Sequence, residues 1–352
     1  MNAATAESRS KETTKATTGT AARPGFGTVL VDHMSIAHYK DGRWSAAQLL
    51  PTGPIPMNPA AHVLHYASTC FEGFKAYRWA DSSVNIFRMD KHIARMRQSA
   101  TSLVLPQPDA AQLRAMITGV VDRVRAEVPE APGALYLRPT LFGTGASIGG
   151  ATSPATEAML IVLASPVWDY FAKGEKPLRI YVEEKATRTA SFMGMVKAGG
   201  NYAAALGLTI AARHTHQADQ VVFCPGGSVQ ETGAANFLLI RDGRILTRSL
   251  DSSFLHGVTR DSILTIAPEL GIEIEERVFT VDEMLDWVKD GEAALCGTAA
   301  VLSGVGTLVR EGGREYKVGG GDVGPNTKRL RKALVSMQRG EIPTPADWIT
   351  RV

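Results

Sequence analysis

The segment FLLIRDGRILT, Phe237 to Thr247, decides the fold class. Two apolar runs flank an Asp-Gly pair, and Asp-Gly readily adopts the left-handed backbone of a tight hairpin turn, so the pattern predicts antiparallel strands joined at Asp242 and Gly243. Outward from the hairpin, LRIYVEE (178–184) reads as a further strand. In the first half VNIFRM (84–89), LYLRPTLF (135–142) and AMLIVLAS (158–165) read the same way. Helical stretches fall among these runs without a regular βαβ alternation; one is DKHIARMRQSATSLVL, with Asp90 as its expected N-cap. No glycine fingerprint of a dinucleotide site follows a strand. The chain is therefore expected to be α+β rather than doubly wound. Pro, Gly and mixed charges in PVWDYFAKGEKP mark a connector. The expected organisation is a tail over 1–25, a small N-terminal α/β domain over 26–165, a loop over 166–178 and a large C-terminal domain over 179–352.

Just before the hairpin, the run QVVFCPGGSVQETGAANFLLI (220–240) carries one charge, Glu231. Further upstream, TASFMGMVKAGGNYAAALGLTIAA (189–212) also carries one, Lys197. Apolar surroundings disfavour an ammonium and favour a free amine, able to act as nucleophile or base. Isolated charges in apolar segments call for a partner or a function. Pyridoxal phosphate suits this pair, because its aldehyde takes an amine while a carboxylate beside its ring nitrogen keeps that nitrogen protonated. A lysine whose stem lies on an apolar surface while its head reaches water fits the same pattern, as does a structural ion pair for Glu231.

The 352 residues are ample for a large core or two domains. Residues 1–25 are mostly Ala, Thr and Ser and contain no large apolar side chain after the initial Met, so they read as an unstructured tail. Arg9, Lys11, Lys15 and Arg23 against Glu7 and Glu12 give the tail two of the three net positive charges of the chain. It has neither the apolar core of a secretory signal nor the low acidity of a transit peptide, which points to the cytoplasm. The remainder is nearly neutral, and that argues against nucleic acid or an anionic membrane as partner. No apolar run has the length of a membrane span. Cys70, Cys224 and Cys296 lie far apart and are read as core thiols of a reducing compartment. His214 and His216 end an Ala-rich helical stretch, where residues two apart diverge and the helix dipole accounts for basic groups; no metal site is expected.

A phosphate would need backbone N–H groups at a helix start. LHGVTRDSILTIAPEL offers Val258 and Thr259 after Gly257, and CGTAAVLSG offers a turn at Gly297, Thr298 and Ala299. An ordinary cap explains each equally well. Arg95 and Arg97 are both available as the accompanying cation, and periodicity does not choose between them.

Taken together, LHYASTCFEGFKAYR, LYLRPTLFGTG, VKAGGNY, QETGAANF, LHGVTRDSIL, CGTAA and the late ADW resemble the branched-chain amino-acid aminotransferases, two-domain pyridoxal-phosphate enzymes of fold type IV with mixed and antiparallel sheets, a fold shared with D-amino-acid aminotransferases. The likeness runs in order from about Phe26 to Trp348. It implies that Lys197 is the Schiff-base lysine and proton shuttle, that Tyr202 bonds the ring hydroxyl and that Glu231 holds the pyridine nitrogen protonated. It assigns the phosphate to Arg95 rather than Arg97, with Val258, Thr259 and Thr298. The substrate would meet Tyr66, Phe71, Tyr136, Arg138 and Tyr170, with Arg138 tied to the acidic co-substrate and Thr298 and Ala299 at the α-carboxylate. Tyr136 and Arg138, two apart in a strand, share a face.

The activity implied is reversible transfer of the amino group of L-leucine, L-isoleucine or L-valine to 2-oxoglutarate by a homodimer, with residues 148–150 reaching across the interface. Ala234 and Ala235 stand where animal-type members carry a bulkier pair, so the pocket is expected to be wider or differently shaped. Ala300 and Ser303 replace a Cys-x-x-Cys pair, so no thiol switch is expected. D-amino-acid and amine transaminases, and the lyase that makes 4-aminobenzoate, share the lysine and the glutamate, but Phe71, Tyr136 and Arg138 favour the branched-chain reading. A non-catalytic homologue would not be expected to keep Lys197, Tyr202 and Glu231 together.

Overall fold

The computed structural model describes residues 24–168 and 176–352. The first part supplies β1 (His33–Lys40), β2 (Arg43–Trp44), β3 (Gln48–Pro51), β4 (Thr69–Phe71), β5 (Phe74–Arg78), β6 (Val84–Phe87), β7 (Ala134–Gly143) and β8 (Ala158–Val167). Helices α1 (His62–Tyr66), α2 (Met89–Ser102) and α3 (Ala110–Arg123) lie between them in the chain. The longest pairing joins β7 to β8 antiparallel, from Ala134 opposite Val167 to Gly143 opposite Ala158. On β7 the side chains of Leu135 and Leu137 are fully buried and join Ile93 and Met96 of α2 and Leu113, Ile117 and Val120 of α3 in one apolar core. A strand alternates faces, so Tyr136 and Arg138 lie on the opposite side, half-buried.

The start of α2 differs from the sequence expectation. Its N-cap is Arg88, in a left-handed conformation with φ 55°, and Asp90 lies inside the first turn. Arg88 is fixed there from the side: its guanidinium pairs with Asp261, bonds Ser262 Oγ at 3.2 Å and lies 4.3 Å from the Trp348 ring. Asp90 still complements the helix dipole and pairs with Arg114 of α3.

The second part comprises β9 (Leu178–Glu183), α4 (Gly199–His216), β10 (Gln220–Phe223), β11 (Asn236–Arg241), β12 (Arg244–Thr247), α5 (Val258–Ile266), β13 (Glu273–Glu276), α6 (Val281–Trp287), β14 (Glu292–Gly297), β15 (Val301–Val309), β16 (Glu315–Lys317), α7 (Pro325–Gln338) and β17 (Ile349–Arg351). The β11–β12 hairpin turns at Asp242 and Gly243, with φ 50° and 70° respectively, and Arg241 faces Arg244 as expected.

In the first sheet the strand order is β17-β6-β5-β7-β8-β1-β2, with β3 on β1 and β4 on β7, and its pairs are antiparallel. In the second the order is β10-β9-β15-β14-β11-β12-β13, with β16 on β15, and it mixes parallel and antiparallel pairs. The architecture is α+β. A shared apolar cluster joins the sheets: Tyr77, Phe87, Ala134 and Val167 pack with Leu238, Ile240, Leu302, Leu334 and Trp348. The last strand, β17, returns to pair with β6 of the first sheet.

Candidate active site

Lys197 sits between Val196 and Ala198, the N-cap residue of α4. Both ends of its peptide are held by the first half of the chain. Its N–H donates to Ser99 Oγ of α2 at 3.0 Å, and its carbonyl accepts from Phe71 N of β4 at 3.1 Å. Asn201 fixes the preceding loop by donating Nδ2 to the carbonyls of Met193 and Val196, each at 2.8 Å. From there Nζ donates to Tyr202 Oη at 2.7 Å and lies 4.9 Å from the Phe71 ring centroid. Tyr202 reaches back because it lies in the first turn of α4, five residues on. Arg213, His214 and His216 occupy the last turn, where the dipole favours them.

Glu231 is 3% exposed. Its Oε1 accepts from the Leu255 N–H at 2.9 Å and pairs with Arg188 at 2.7 Å, and its Oε2 accepts from Asn236 Nδ2 at 3.0 Å. Burial pushes its carboxyl up to about 7 against the opposing pull of Arg188, the Leu255 N–H, Lys197 and Arg95. A carboxyl that titrates near neutrality can share a proton with a ring nitrogen. The structural ion pair considered from sequence is thus present, with Arg188 as its partner, and it coexists with that capacity.

Arg95 is buried on α2, whereas Arg97 turns to the Pro108 carbonyl and Gln107 Oε1. Arg95 donates Nε and Nη2 to the two oxygens of Glu72 at 2.6 and 2.9 Å, and Nη1 to the His256 carbonyl at 3.0 Å. The last bond sets it beside Gly257, the N-cap of α5, where Val258 and Thr259 open the helix without a side-chain cap. First-turn N–H groups have no partner within their helix. Thr298 lies in the turn between β14 and β15, and it lines one small gap together with Val258, Thr259, Lys75 and His92.

Phe71, Tyr136 and Arg138 gather beside Lys197. Arg138 donates Nη2 to Tyr136 Oη at 2.9 Å, and its guanidinium carbon lies 4.6 Å from the Phe71 ring centroid; Phe71 in turn lies 5.2 Å from Tyr202. Ala299 accepts from Lys75 Nζ at 2.8 Å. Ala234, Ala235, Thr298, Ala299, Ala300 and Ser303 border a cavity of about 600 Å³. Tyr66 stands apart from this chain of contacts, with its hydroxyl bound to the Ile148 carbonyl at 2.6 Å. Tyr170 lies outside the described residues.

Four groups escaped the sequence reading: Glu72, His92, Arg188 and Asn236. For Glu72 a signal exists, since it is the first Asp, Glu, Lys or Arg after Arg43. For the others the signal is tertiary.

The donor set fits pyridoxal phosphate. Beside an amine and a phenol lie a buried carboxyl titrating near neutrality and, at an uncapped helix start, an arginine. No cluster of three potential metal ligands occurs among the described residues.

A model of the family described as amino-transferase class IV matches residues 69–307. A probable branched-chain-amino-acid aminotransferase of Streptomyces coelicolor is 40% identical over 341 residues, covering 93% of this chain and 92% of the relative. A branched-chain-amino-acid aminotransferase of Mycobacterium tuberculosis is 40% identical over 347 residues, covering 94% and 92%. Among solved structures, the branched-chain amino acid aminotransferase of Escherichia coli matches with TM-score 0.75 at 26% identity, covering 90% of this chain and 98% of that one. A T.th. branched-chain amino acid aminotransferase with pyridoxamine 5'-phosphate matches with TM-score 0.74 at 27% identity, covering 89% and 97%. Fold and site thus define a pyridoxal-phosphate-dependent class IV aminotransferase. Within that class the chain belongs to the branched-chain amino-acid aminotransferase family.

Proposed function

We propose that the protein moves the amino group of L-leucine, L-isoleucine or L-valine reversibly to 2-oxoglutarate, giving the branched 2-oxo acid and L-glutamate. The observation that carries this reading is the contact of Lys197 Nζ with Tyr202 Oη beside the Phe71 ring, with Arg138 also against that ring. Pyridoxal phosphate, when bound, withdraws electrons from the substrate α-carbon and carries the amino group between the two half-reactions.

The protein's own groups account for the rest. Lys197 would hold the cofactor covalently, and its Nζ would take and return the proton at the substrate α-carbon. Tyr202 would orient that amine and bond the ring hydroxyl. Glu231, held by Arg188 and Asn236, would keep a proton at the ring nitrogen. Arg95, the N–H groups of Val258 and Thr259, and Thr298 would hold the phosphate. Phe71 and Tyr136 would face the aliphatic side chain, with Tyr66 farther out. Arg138 would meet the second carboxylate of 2-oxoglutarate, and Thr298 with Ala299 the α-carboxylate.

We propose a homodimer, supported by Ile148, Phe192 and Leu64, which are 73%, 70% and 60% exposed. Sedimentation that returned only monomer would end that proposal. A cytoplasmic setting is supported by three buried free cysteines. No helix among the described residues is long and apolar enough to cross a membrane.

The absorption spectrum tests the substrate assignment. L-Leucine and L-glutamate should each bleach the visible band of the holoenzyme, while D-alanine and a simple chiral amine leave it unchanged. Bleaching by the latter pair instead would move the protein to another activity of the same fold.

A further inference from the structure

Resting on the cofactor reading above, the geometry points to a role for a histidine that the reaction does not use. His92 lies on α2, one turn before Arg95, and is 3% exposed. Its Nδ1 lies 2.7 Å from Glu72 Oε2, and its ring stacks on Phe74 with centroids 4.7 Å apart. Glu72 also carries both bonds from Arg95, so it neutralises the arginine assigned to the phosphate. Lys75, the other cation bordering the gap, donates its ammonium to the Ala299 carbonyl at 2.8 Å, so a dianionic phosphate ester in that cup would be only partly compensated. The imidazole that shares Glu72 borders the same gap as Val258, Thr259 and Thr298.

We propose that His92 is the proton-linked counter-charge of the phosphate cup: its imidazole is neutral in the cofactor-free protein and takes a solvent proton on Nε2 when a dianionic phosphate ester is bound by Arg95, Val258, Thr259 and Thr298. Nε2 is the site because Nδ1 already carries the proton directed at the ionised Glu72, and Nε2 has no hydrogen-bond partner among the described residues. The groups around the ring support a switch of this kind. Burial lowers the imidazole's proton affinity, Glu72 opposes that, and Arg95 and Lys197 add to it. Lys75 and Tyr77 also border the gap, and burial pushes the Tyr77 phenol far up, so it stays neutral. A dianion beside the ring reverses the balance, and binding then takes up about one proton per site. Linkage gives the sign: the bound state holds more protons, so affinity falls as pH rises.

The test is nitrogen NMR of protein labelled with 15N-histidine, as holoenzyme and after stripping and reloading with pyridoxamine 5'-phosphate. The His92 signals should show an imidazolium in both loaded forms and the neutral Nδ1–H tautomer in the stripped form at pH 7.5. The His92→Asn variant keeps an amide donor for Glu72 but cannot take up the proton. Its Kd for pyridoxamine 5'-phosphate should be about tenfold weaker at pH 7, and its deficit should close as pH rises. One neutral tautomer in every form, or a variant with the wild-type pH slope, would overturn the proposal. Stripped wild-type protein that bound no pyridoxamine 5'-phosphate would overturn the cofactor reading and this inference with it.

Discussion

The Nζ of Lys197 lies 2.7 Å from the phenolic oxygen of Tyr202, and the helix start between them makes this a built contact. Removing only that oxygen, in Tyr202→Phe, should leave the protein folded and loaded. Turnover of L-leucine should fall about tenfold to a hundredfold, the worth of one hydrogen bond to a charged group. Steady-state kinetics alongside the visible band would check this, and unaltered kcat would remove Tyr202 from the mechanism.

Lys197→Ala removes the amine itself. The loss expected is about a hundredfold to ten-thousandfold for the proton transfer alone, plus the covalent hold on the cofactor. Single-turnover measurement with L-leucine is the check. Wild-type rates in this variant would refute the assignment of Lys197.

Glu231→Gln keeps the size and one acceptor oxygen for the Leu255 N–H, but it turns an amide NH2 towards the Asn236 Nδ2 donor and discards the carboxyl titrating at about 7. Cofactor should remain bound while α-proton exchange from [2-2H]leucine slows by about a hundredfold or more. The partner left behind is Arg188, 4% exposed, so a lower melting temperature is also expected. Full exchange rates would show that the ring nitrogen does not depend on Glu231.

These sites were unequally visible in the sequence. Lys197 and Glu231 stood out because each is the lone charge of an apolar run, and such charges are kept for a partner or a reaction. The Asp242-Gly243 hairpin was legible because local backbone preference alone sets its turn. Gly257 marked a helix start for the same reason, although an anion and a plain cap write the same residues. Asp90 misled because the cap of α2 is imposed by long-range contacts of Arg88 with Asp261 and Trp348, which no local pattern encodes. Arg95 could not be told from Arg97 without knowing where Glu72 lies. The same holds for Asn236, whose role exists only because β11 brings it beside Glu231 and Leu255.

Glu72 gives a stability that depends on pH. Burial works to raise its carboxyl, but Arg95 and His92 outweigh burial and hold it well below its ordinary 4.5. A lowered folded value means stability that is present above 4.5 and lost as pH falls through the folded value. Glu72→Gln should therefore melt several degrees below wild type at pH 7, roughly the effect of a few kcal/mol in a chain of this length, and the gap should narrow as pH drops toward 3. Circular dichroism melts at both ends of that range would decide it; a gap constant with pH would mean that Glu72 acts by packing alone.

Gly257 links the two ends of the cofactor site through one glycine without a side chain. Its backbone is ordinary, with φ −71°, so any residue has the conformation available and only space is at issue. A Cβ there would sit 2.0 Å from Asn236 Oδ1, far inside contact distance. Asn236 cannot yield cheaply, because its Nδ2 is bound to both Glu231 Oε2 and the Leu255 carbonyl. Gly257→Ala must then move either the start of α5, where phosphate would be held, or the side chain that steadies the carboxyl at the ring nitrogen. Both lower cofactor affinity, and we expect Kd for pyridoxamine 5'-phosphate to rise at least about tenfold, since displacing one buried hydrogen bond costs on the order of 1 to 3 kcal/mol. Pairing it with Asn236→Ala separates the routes. If the clash acts through Asn236, the double variant should bind no worse than Asn236→Ala alone; if losses add, α5 itself has moved.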